Sequence, residues 1–164
     1  MGGREFDMLT GGVIATPSLD EITRVLEARA MALPSFVTGS GPFPNGRGRW
    51  TTAPEALTAG ERYAAASLYL ALMSNVCLDL LAASGDTIIQ GPFAHNGLFC
   101  DALASLSGRP VFRTDGQTAT AAGAARLMLP HLREQRGEAA PGLPLALRAA
   151  LSAYAAAWMD RAGS

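Results

Sequence analysis

The segment Gly91-Pro92-Phe93-Ala94-His95-Asn96 has residue types suited to binding a nucleotide. It follows the apolar, β-branched run 87–90 and precedes a helical pattern, so we predict a strand-to-helix turn. Gly91 lacks a Cβ and lets a ligand approach the backbone, and the Asn96 carboxamide offers a donor and an acceptor to a base or ribose. The N–H groups that begin the next helix attract anions. Taken alone, a Gly-Pro turn capped by Asn96 is equally typical of ordinary α/β structure.

Few other residues are suited to catalysis. No paired carboxylates, nucleophile–base set or metal-ligand cluster stands out, and His95 is interpreted as a solvent-facing turn residue. Cys77 and Cys100 are too few and too far apart for a zinc site, and their apolar surroundings predict buried free thiols. Four acidic residues have ordinary helix or turn explanations: Asp79, Asp86, Asp101 and Asp115. We therefore predict no catalytic residue and no metal site in this chain.

The composition favours one domain that binds neither nucleic acid nor membrane. A chain of 164 residues is long enough for a proper core, and its formal net charge of −1 with scattered arginines argues against polyanionic partners. Neither a signal peptide nor a membrane span is predicted, which together with the cysteine usage favours the cytoplasm. Only 16% of residues are charged. This is low for a soluble domain, and indicates either a surface covered by another lobe or subunit, including a homo-oligomer, or an alanine-rich composition.

Helix and strand signals follow one another in an α/β order. Capping boxes at Ser18–Glu21 and Thr58–Glu61 begin two helices, and the second helix, roughly 59–82, is apolar on nearly every face. A strand over 87–90, a helix over 96–107 and a strand over 111–113 then predict a βαβ unit with a parallel pair.

Two irregular segments and a terminal helix complete the single predicted domain, 1–164. Residues 34–54, rich in Gly, Pro and Ser, are predicted to form a long ordered loop anchored by Phe36, Phe43 and Trp50. Residues 130–143 are predicted to be a linker. The last helix, from about Leu145 to Arg161, has an apolar stripe made of Leu147, Leu151, Tyr154 and Trp158.

The order of these pieces resembles the C-terminal lobe of FGGY carbohydrate kinases, in the actin/Hsp70/sugar-kinase superfamily. The resemblance lies in the turn Gly91–Asn96, in "LAS" at 103–105, in "GRPV" at 108–111 and in "TAAGAA" at 120–125. The segments "MGGREF" and "LPSFVTGSGPFPNGRGRW" are similar to linking segments of some members. The resemblance implies an α/β, actin-like ATPase (ribonuclease H-like) domain of three layers, present here as a single C-terminal lobe.

For function, the resemblance implies one half of an ATP-dependent carbohydrate kinase that uses Mg²⁺. The missing N-terminal lobe would bind the sugar and supply the general base, so the isolated chain is expected to be inactive. The implied nucleotide-binding residues are Gly91, Pro92, Phe93, Ala94, Asn96 and Gly123. Pro92 and Phe93 depart from the family pattern, because proline lacks an N–H that donates to phosphate and phenylalanine adds bulk. The Phe93 ring is a candidate to stack on adenine instead.

Two alternatives stay open at this point. One is a non-catalytic actin-like module that no longer holds nucleotide and serves a partner or an oligomer. The other is an unrelated small α/β domain.

Overall fold

The computed structural model describes residues 2–114 and 137–163. Along these residues lie five α-helices, five strands and two short 3₁₀ turns. The helices are α1 (Gly2–Thr10), α2 (Leu19–Ala28), α3 (Ala59–Leu80), α4 (Gly97–Ser107) and α5 (Leu145–Ala162). The strands are β1 (Ala32–Leu33), β2 (Arg49–Trp50), β3 (Thr87–Gln90), β4 (Val111–Thr114) and β5 (Glu138–Ala139). The 3₁₀ turns cover Pro54–Ala56 and Pro92–His95.

The strands form two separate sheets. β1 and β2 pair antiparallel, with Ala32 opposite Trp50. The second sheet has the order β3-β4-β5. In it β3 and β4 are parallel, from Thr87 opposite Val111 to Gln90 opposite Thr114, and α4 provides the crossover that a parallel pair requires. The predicted parallel pair is confirmed.

Helix α3 is the central helix of the domain, and α1, α2 and α4 pack against it. Every residue from Ala64 to Met73 is buried. The helix packs against α1, α2 and α4, which explains why its sequence is apolar on every face. By length and composition alone α3 could cross a bilayer, but 56% of its most apolar window is buried inside the protein, as in the core helix of a globular domain.

Both predicted capping boxes form, and they are joined to each other. Ser18 and Thr58 each accept a hydrogen bond from the backbone N–H of the glutamate three residues later. The Thr58 hydroxyl also donates to Glu21 Oε1 over 2.7 Å, and Arg24 Nε donates to Glu61 Oε1 over 2.7 Å. The N-terminus of α3 is thereby held to the first two turns of α2.

Helix α5 covers the β1 edge of the domain. All four residues of its predicted apolar stripe are buried. Tyr154 donates from its hydroxyl to the Ala30 carbonyl over 3.0 Å, and Trp158 Nε1 donates to the Ala32 carbonyl over 2.7 Å. Burial raises the pKa of the Tyr154 phenol, so this hydroxyl remains a donor.

The residues of segment 34–54 pack against the core through their aromatic side chains. Phe36 contacts Tyr69 edge-on with ring centroids 5.8 Å apart, and Phe43 contacts Trp158 at 5.6 Å. The segment also includes strand β2, so it is not loop throughout.

Two segments that the sequence indicated to be linkers contain a helix or a strand in the structure. Residues 2–10 form helix α1, with Glu5 and Leu9 buried. Within the predicted linker 130–143, residues 130–136 lie outside the described residues, and Glu138–Ala139 is a strand that pairs with β4. Both elements are short and depend on distant partners, which local sequence patterns do not reveal.

The buried Glu5 carboxylate holds α1 to the loop and to α3. Its side chain is only 1% exposed. Its Oε1 accepts hydrogen bonds from the Phe36 N–H (3.1 Å), the Val37 N–H (3.3 Å) and the Tyr69 hydroxyl (3.0 Å). One carboxylate oxygen therefore satisfies donors from two elements that are far apart in sequence.

We predict that Glu5→Leu lowers the free energy of unfolding by about 2–4 kcal/mol, because it leaves these donors unpaired in the interior. Urea denaturation measures the change. Tyr69→Phe, which removes one donor only, should cost less. Glu27→Leu, at an exposed position of α2, is the control and should change stability little. Equal losses for Glu5→Leu and Glu27→Leu would contradict this role of Glu5.

Candidate functional site

The strand-to-helix turn at Gly91 has a backbone conformation that is essentially confined to glycine. Its φ of 78° and ψ of −159° lie in a region that residues with a Cβ scarcely occupy. Within the described residues no atom lies within 4 Å of where a Cβ would stand. Glycine is therefore required at position 91 by the backbone conformation and not by crowding. Gly91 and Pro92 are both exposed. None of residues 2–114 and 137–163 covers this stretch of backbone, so they leave it open to a ligand.

Asn96 fixes the helical side of the turn. Its Oδ1 accepts a hydrogen bond from the Phe99 N–H over 3.0 Å, which caps α4, and its Nδ2 donates to Ser67 Oγ on α3 over 2.9 Å. The residue is only 6% exposed. The cap interpretation of Asn96 is thus observed, and its side chain faces the interior; contact with a nucleoside stays a prediction.

Phe93 and Ala94 also face inward. The Phe93 ring lies between Phe6 and Phe99, with centroids 5.4 Å and 5.7 Å away in edge-on geometry. Ala94 is 4% exposed. In this arrangement the ring of Phe93 belongs to an aromatic cluster with α1 and α4. Stacking of Phe93 on adenine stays a prediction.

Gly123 and its alanine-rich segment lie outside the described residues. The predicted approach of Gly123 to Gly91 across a nucleoside-sized gap therefore stays a prediction. The structure brings together the other five predicted residues, because they are consecutive or nearly so. It places Gly91 and Pro92 on the surface and Ala94 and Asn96 in the interior.

Arg113 is a charged residue at this site that sequence analysis did not single out. A Cβ at Gly97, the first residue of α4, would lie 3.9 Å from Arg113 Nη1. Arg113 Nη2 pairs with Glu138 Oε2 over 3.0 Å, whereas its buried Nε has no hydrogen-bond partner among the residues that the structure describes. The sequence feature that could have identified Arg113 is its position near the carboxyl end of a short apolar strand. The Arg113 guanidinium therefore lies close to the α4 N-terminus, where Glu138 balances its charge.

A cavity of about 300 Å³ borders the same turn on the side of α2 and α5. His95, Gly97 and Asp101 contribute to its lining. Burial raises the pKa of Asp101, and Arg113 partly opposes that rise. The volume is at the lower end of the range for small-molecule sites.

The described residues contain no cluster of three or more His, Cys, Asp or Glu side chains placed to hold a metal ion. Cys100 is buried and Cys77 partly buried, and both are free thiols. Burial raises the pKa of Cys100 to about 11, so this thiol stays protonated at neutral pH.

Comparison with known proteins identifies the family. The profile described as "Carbohydrate kinase FGGY, C-terminal domain" matches residues 1–141. The chain belongs to the FGGY carbohydrate kinase family. The FGGY match ends before α5, as the sequence resemblance did. No protein of curated function matches the chain.

A solved structure supports the FGGY fold over the whole chain. It is described as the crystal structure of a carbohydrate kinase from Novosphingobium aromaticivorans, and it is 34% identical with a TM-score of 0.84. The match covers 99% of this chain but 36% of that chain. The predicted α/β, actin-like fold of an FGGY C-terminal lobe is confirmed, and the chain spans about a third of the length of that kinase.

Gly91 provides a test of the turn's conformation in this FGGY domain. We predict that Gly91→Ala lowers the free energy of unfolding by about 1–3 kcal/mol, because alanine is strained at this φ and ψ although space for its Cβ is free. Gly85→Ala is the matched control: it is equally uncrowded but lacks a positive φ. Urea denaturation of both variants compares them. Equal effects would show that the backbone at Gly91 is not restricted.

Proposed function

We propose that the chain is the ATP-binding C-terminal lobe of a carbohydrate kinase and that it acts only with an N-terminal lobe. The observation that carries the proposal is the exposed Gly91 turn, with its glycine-only backbone beside the start of an 11-residue helix. Family membership supports the kinase class. The reaction proposed is transfer of the ATP γ-phosphoryl group to a sugar hydroxyl.

The residues at the turn fit a nucleotide in part. Gly91 and Pro92 are exposed, and the α4 N-terminus offers N–H groups to an anion. The Arg113 guanidinium lies close to Gly97, but Glu138 balances its charge. Against this, Pro92 has no N–H to donate, a loss worth roughly 1–3 kcal/mol for one anion contact. The proposed nucleotide contacts are therefore the backbone at Gly91 and the α4 N-terminus, with Ala94 and Asn96 shaping the turn from beneath.

ATP, when bound, supplies the γ-phosphoryl group and brings Mg²⁺ with its phosphates, since Mg²⁺ is usually held by phosphates with one or two carboxylates. The role of this chain in the step is to hold and orient the nucleotide. The general base and the sugar pocket are assigned to the N-terminal lobe.

A second candidate function has a specific observation in its favour. Asn96 and Phe93 direct their side chains into the core, and Pro92 removes a donor from the turn. An actin-like module that has lost nucleotide binding and serves a partner would show the same features. Binding of MgATP separates the two functions.

A chimera tests the proposal. This chain replaces the matched third of the Novosphingobium kinase, and turnover is measured with a sugar on which the intact kinase is active. We expect the chimera to bind MgATP in calorimetry and to turn over ATP when sugar is added, and the isolated chain to show no sugar-dependent turnover. In the chimera, Gly91→Ala should raise KM for ATP by about tenfold or more and leave KM for the sugar unchanged.

Gly85→Ala is again the control and should alter neither constant. A folded chimera that does not bind MgATP would contradict nucleotide binding and favour the partner-binding module. Sugar-dependent ATP turnover by the isolated chain would contradict the need for a second lobe.

A further inference from the structure

Ser67 is a polar residue in the buried part of helix α3. It is 0% exposed and follows three buried alanines, Ala64–Ala66. Serine has a lower helix propensity than alanine, and a hydroxyl in an apolar interior is unfavourable unless it is hydrogen-bonded. Alanine would therefore suit position 67 better on local grounds. The reason for a hydroxyl at this position lies in the contacts that it makes.

The Ser67 hydroxyl takes part in two hydrogen bonds. It donates to the Tyr63 carbonyl over 2.9 Å, within α3, and it accepts from Asn96 Nδ2 over 2.9 Å, at the start of α4. A carbonyl oxygen can only accept, so the hydroxyl hydrogen points to Tyr63. Ser67 therefore offers Asn96 a lone pair and not a donor.

The partners of Asn96 decide which way its carboxamide faces. The Phe99 backbone N–H is a donor, so the atom that faces it has to be Oδ1, and the atom that faces Ser67 has to be Nδ2. The reverse orientation would place donor against donor at Phe99 and acceptor against acceptor at Ser67. Unsatisfied polar groups are costly in the interior, so the two partners together select one orientation.

Backbone hydrogen bonds continue this connection from Asn96 to Gly91. The Asn96 N–H donates to the Phe93 carbonyl over 3.1 Å, and the Ala94 N–H donates to the Gly91 carbonyl over 3.0 Å. Phe93 and Ala94 are neighbours in the chain, so both bonds belong to the short 3₁₀ turn over Pro92–His95. The orientation of the Asn96 side chain is thereby linked to the position of the Gly91 backbone.

We propose that Ser67 is a positioning residue for the nucleotide-binding turn. Its hydroxyl orients the Asn96 carboxamide, and through it holds the start of α4 and the Gly91 backbone in place. This inference rests on the proposed function, in which the turn binds ATP. Ser67 is fully buried on the central helix, so it acts through Asn96 and is assigned no contact with the nucleotide.

Ser67→Ala tests the inference in the isolated chain, without nucleotide. The substitution removes the acceptor of Asn96 Nδ2 and keeps a good helix former on α3. In ¹⁵N–¹H spectra we expect the side-chain N–H resonances of Asn96 to shift. Hydrogen exchange of the Phe99 amide, which Asn96 caps, should quicken by about threefold or more, because the cap is held less firmly.

Ser35→Ala is the matched control. Ser35 is also buried, at 3% exposed, and its hydroxyl donates to the Phe43 carbonyl over 2.9 Å. Both substitutions remove a buried hydroxyl and should lower the Tm. Only Ser67→Ala should change the resonances of Asn96 and the exchange of Phe99, because Ser35 bonds to other residues.

The chimera with the Novosphingobium kinase tests the consequence for nucleotide binding. Ser67→Ala should raise KM for ATP by about three- to tenfold, as expected for the loss of one buried hydrogen bond, and leave kcat and KM for the sugar unchanged. Ser35→Ala should change none of these constants. Equal changes in KM for ATP in the two variants would show a purely structural role for Ser67 and overturn the inference.

A double-mutant cycle with Asn96→Ala shows whether Ser67 acts through Asn96. No carboxamide remains to be oriented in Asn96→Ala, so adding Ser67→Ala should raise KM for ATP much less than it does in the unsubstituted chimera. Additive effects of the two substitutions would overturn the inference. Unchanged Asn96 side-chain resonances in Ser67→Ala would do the same.

These outcomes are distinct from failure of the proposed function. If the unsubstituted chimera folds but does not bind MgATP, nucleotide binding is rejected. The Asn96 resonances and the Phe99 exchange of the isolated chain, which need no nucleotide, then decide whether Ser67 orients the turn.

Discussion

The proposed function depends on one buried side chain, Asn96, which holds the start of helix α4 next to the Gly91 turn. Through Oδ1 it caps α4, and through Nδ2 it ties the start of that helix to Ser67 on the central helix α3. Because the residue is buried, the preceding turn is held from beneath. The chain reverses just before it at Gly91, which leaves the glycine backbone on the surface. One anchored side chain therefore fixes the start of the helix, close to the exposed backbone at Gly91.

The β3–α4 unit consequently presents two different surfaces. Its carboxyl end carries Gly91 and the α4 N-terminus, which suit an anionic ligand. Its open edge borders an apolar cavity of about 400 Å³ between α1 and β3, with Ile88 in the lining. The low proportion of charged residues, 16%, is consistent with a face that another lobe covers.

Local sequence patterns correctly predicted the elements that are determined by neighbouring residues. The capping boxes at Ser18 and Thr58 and the strand–turn–helix around Gly91 each depend on a few adjacent residues, and all of them form. Helix α1 was not predicted, because its burial depends on Glu5 meeting backbone N–H groups 31 and 32 residues away. The choice between cap and ligand contact for Asn96 was likewise left open, since it depends on Ser67, 29 residues earlier. Strand β5, with two residues, has no recognisable pattern.

Amide chemical-shift mapping of the isolated chain tests most directly the proposal that the Gly91 turn binds the nucleotide. In a titration with MgATP followed by ¹⁵N–¹H spectra, we expect the largest saturable shifts at the amides of Gly91 and of residues 94–97. The amides of Leu80 and Leu81 should not move. Saturable shifts centred elsewhere, or no shift at the turn when MgATP is in large excess, would contradict the account.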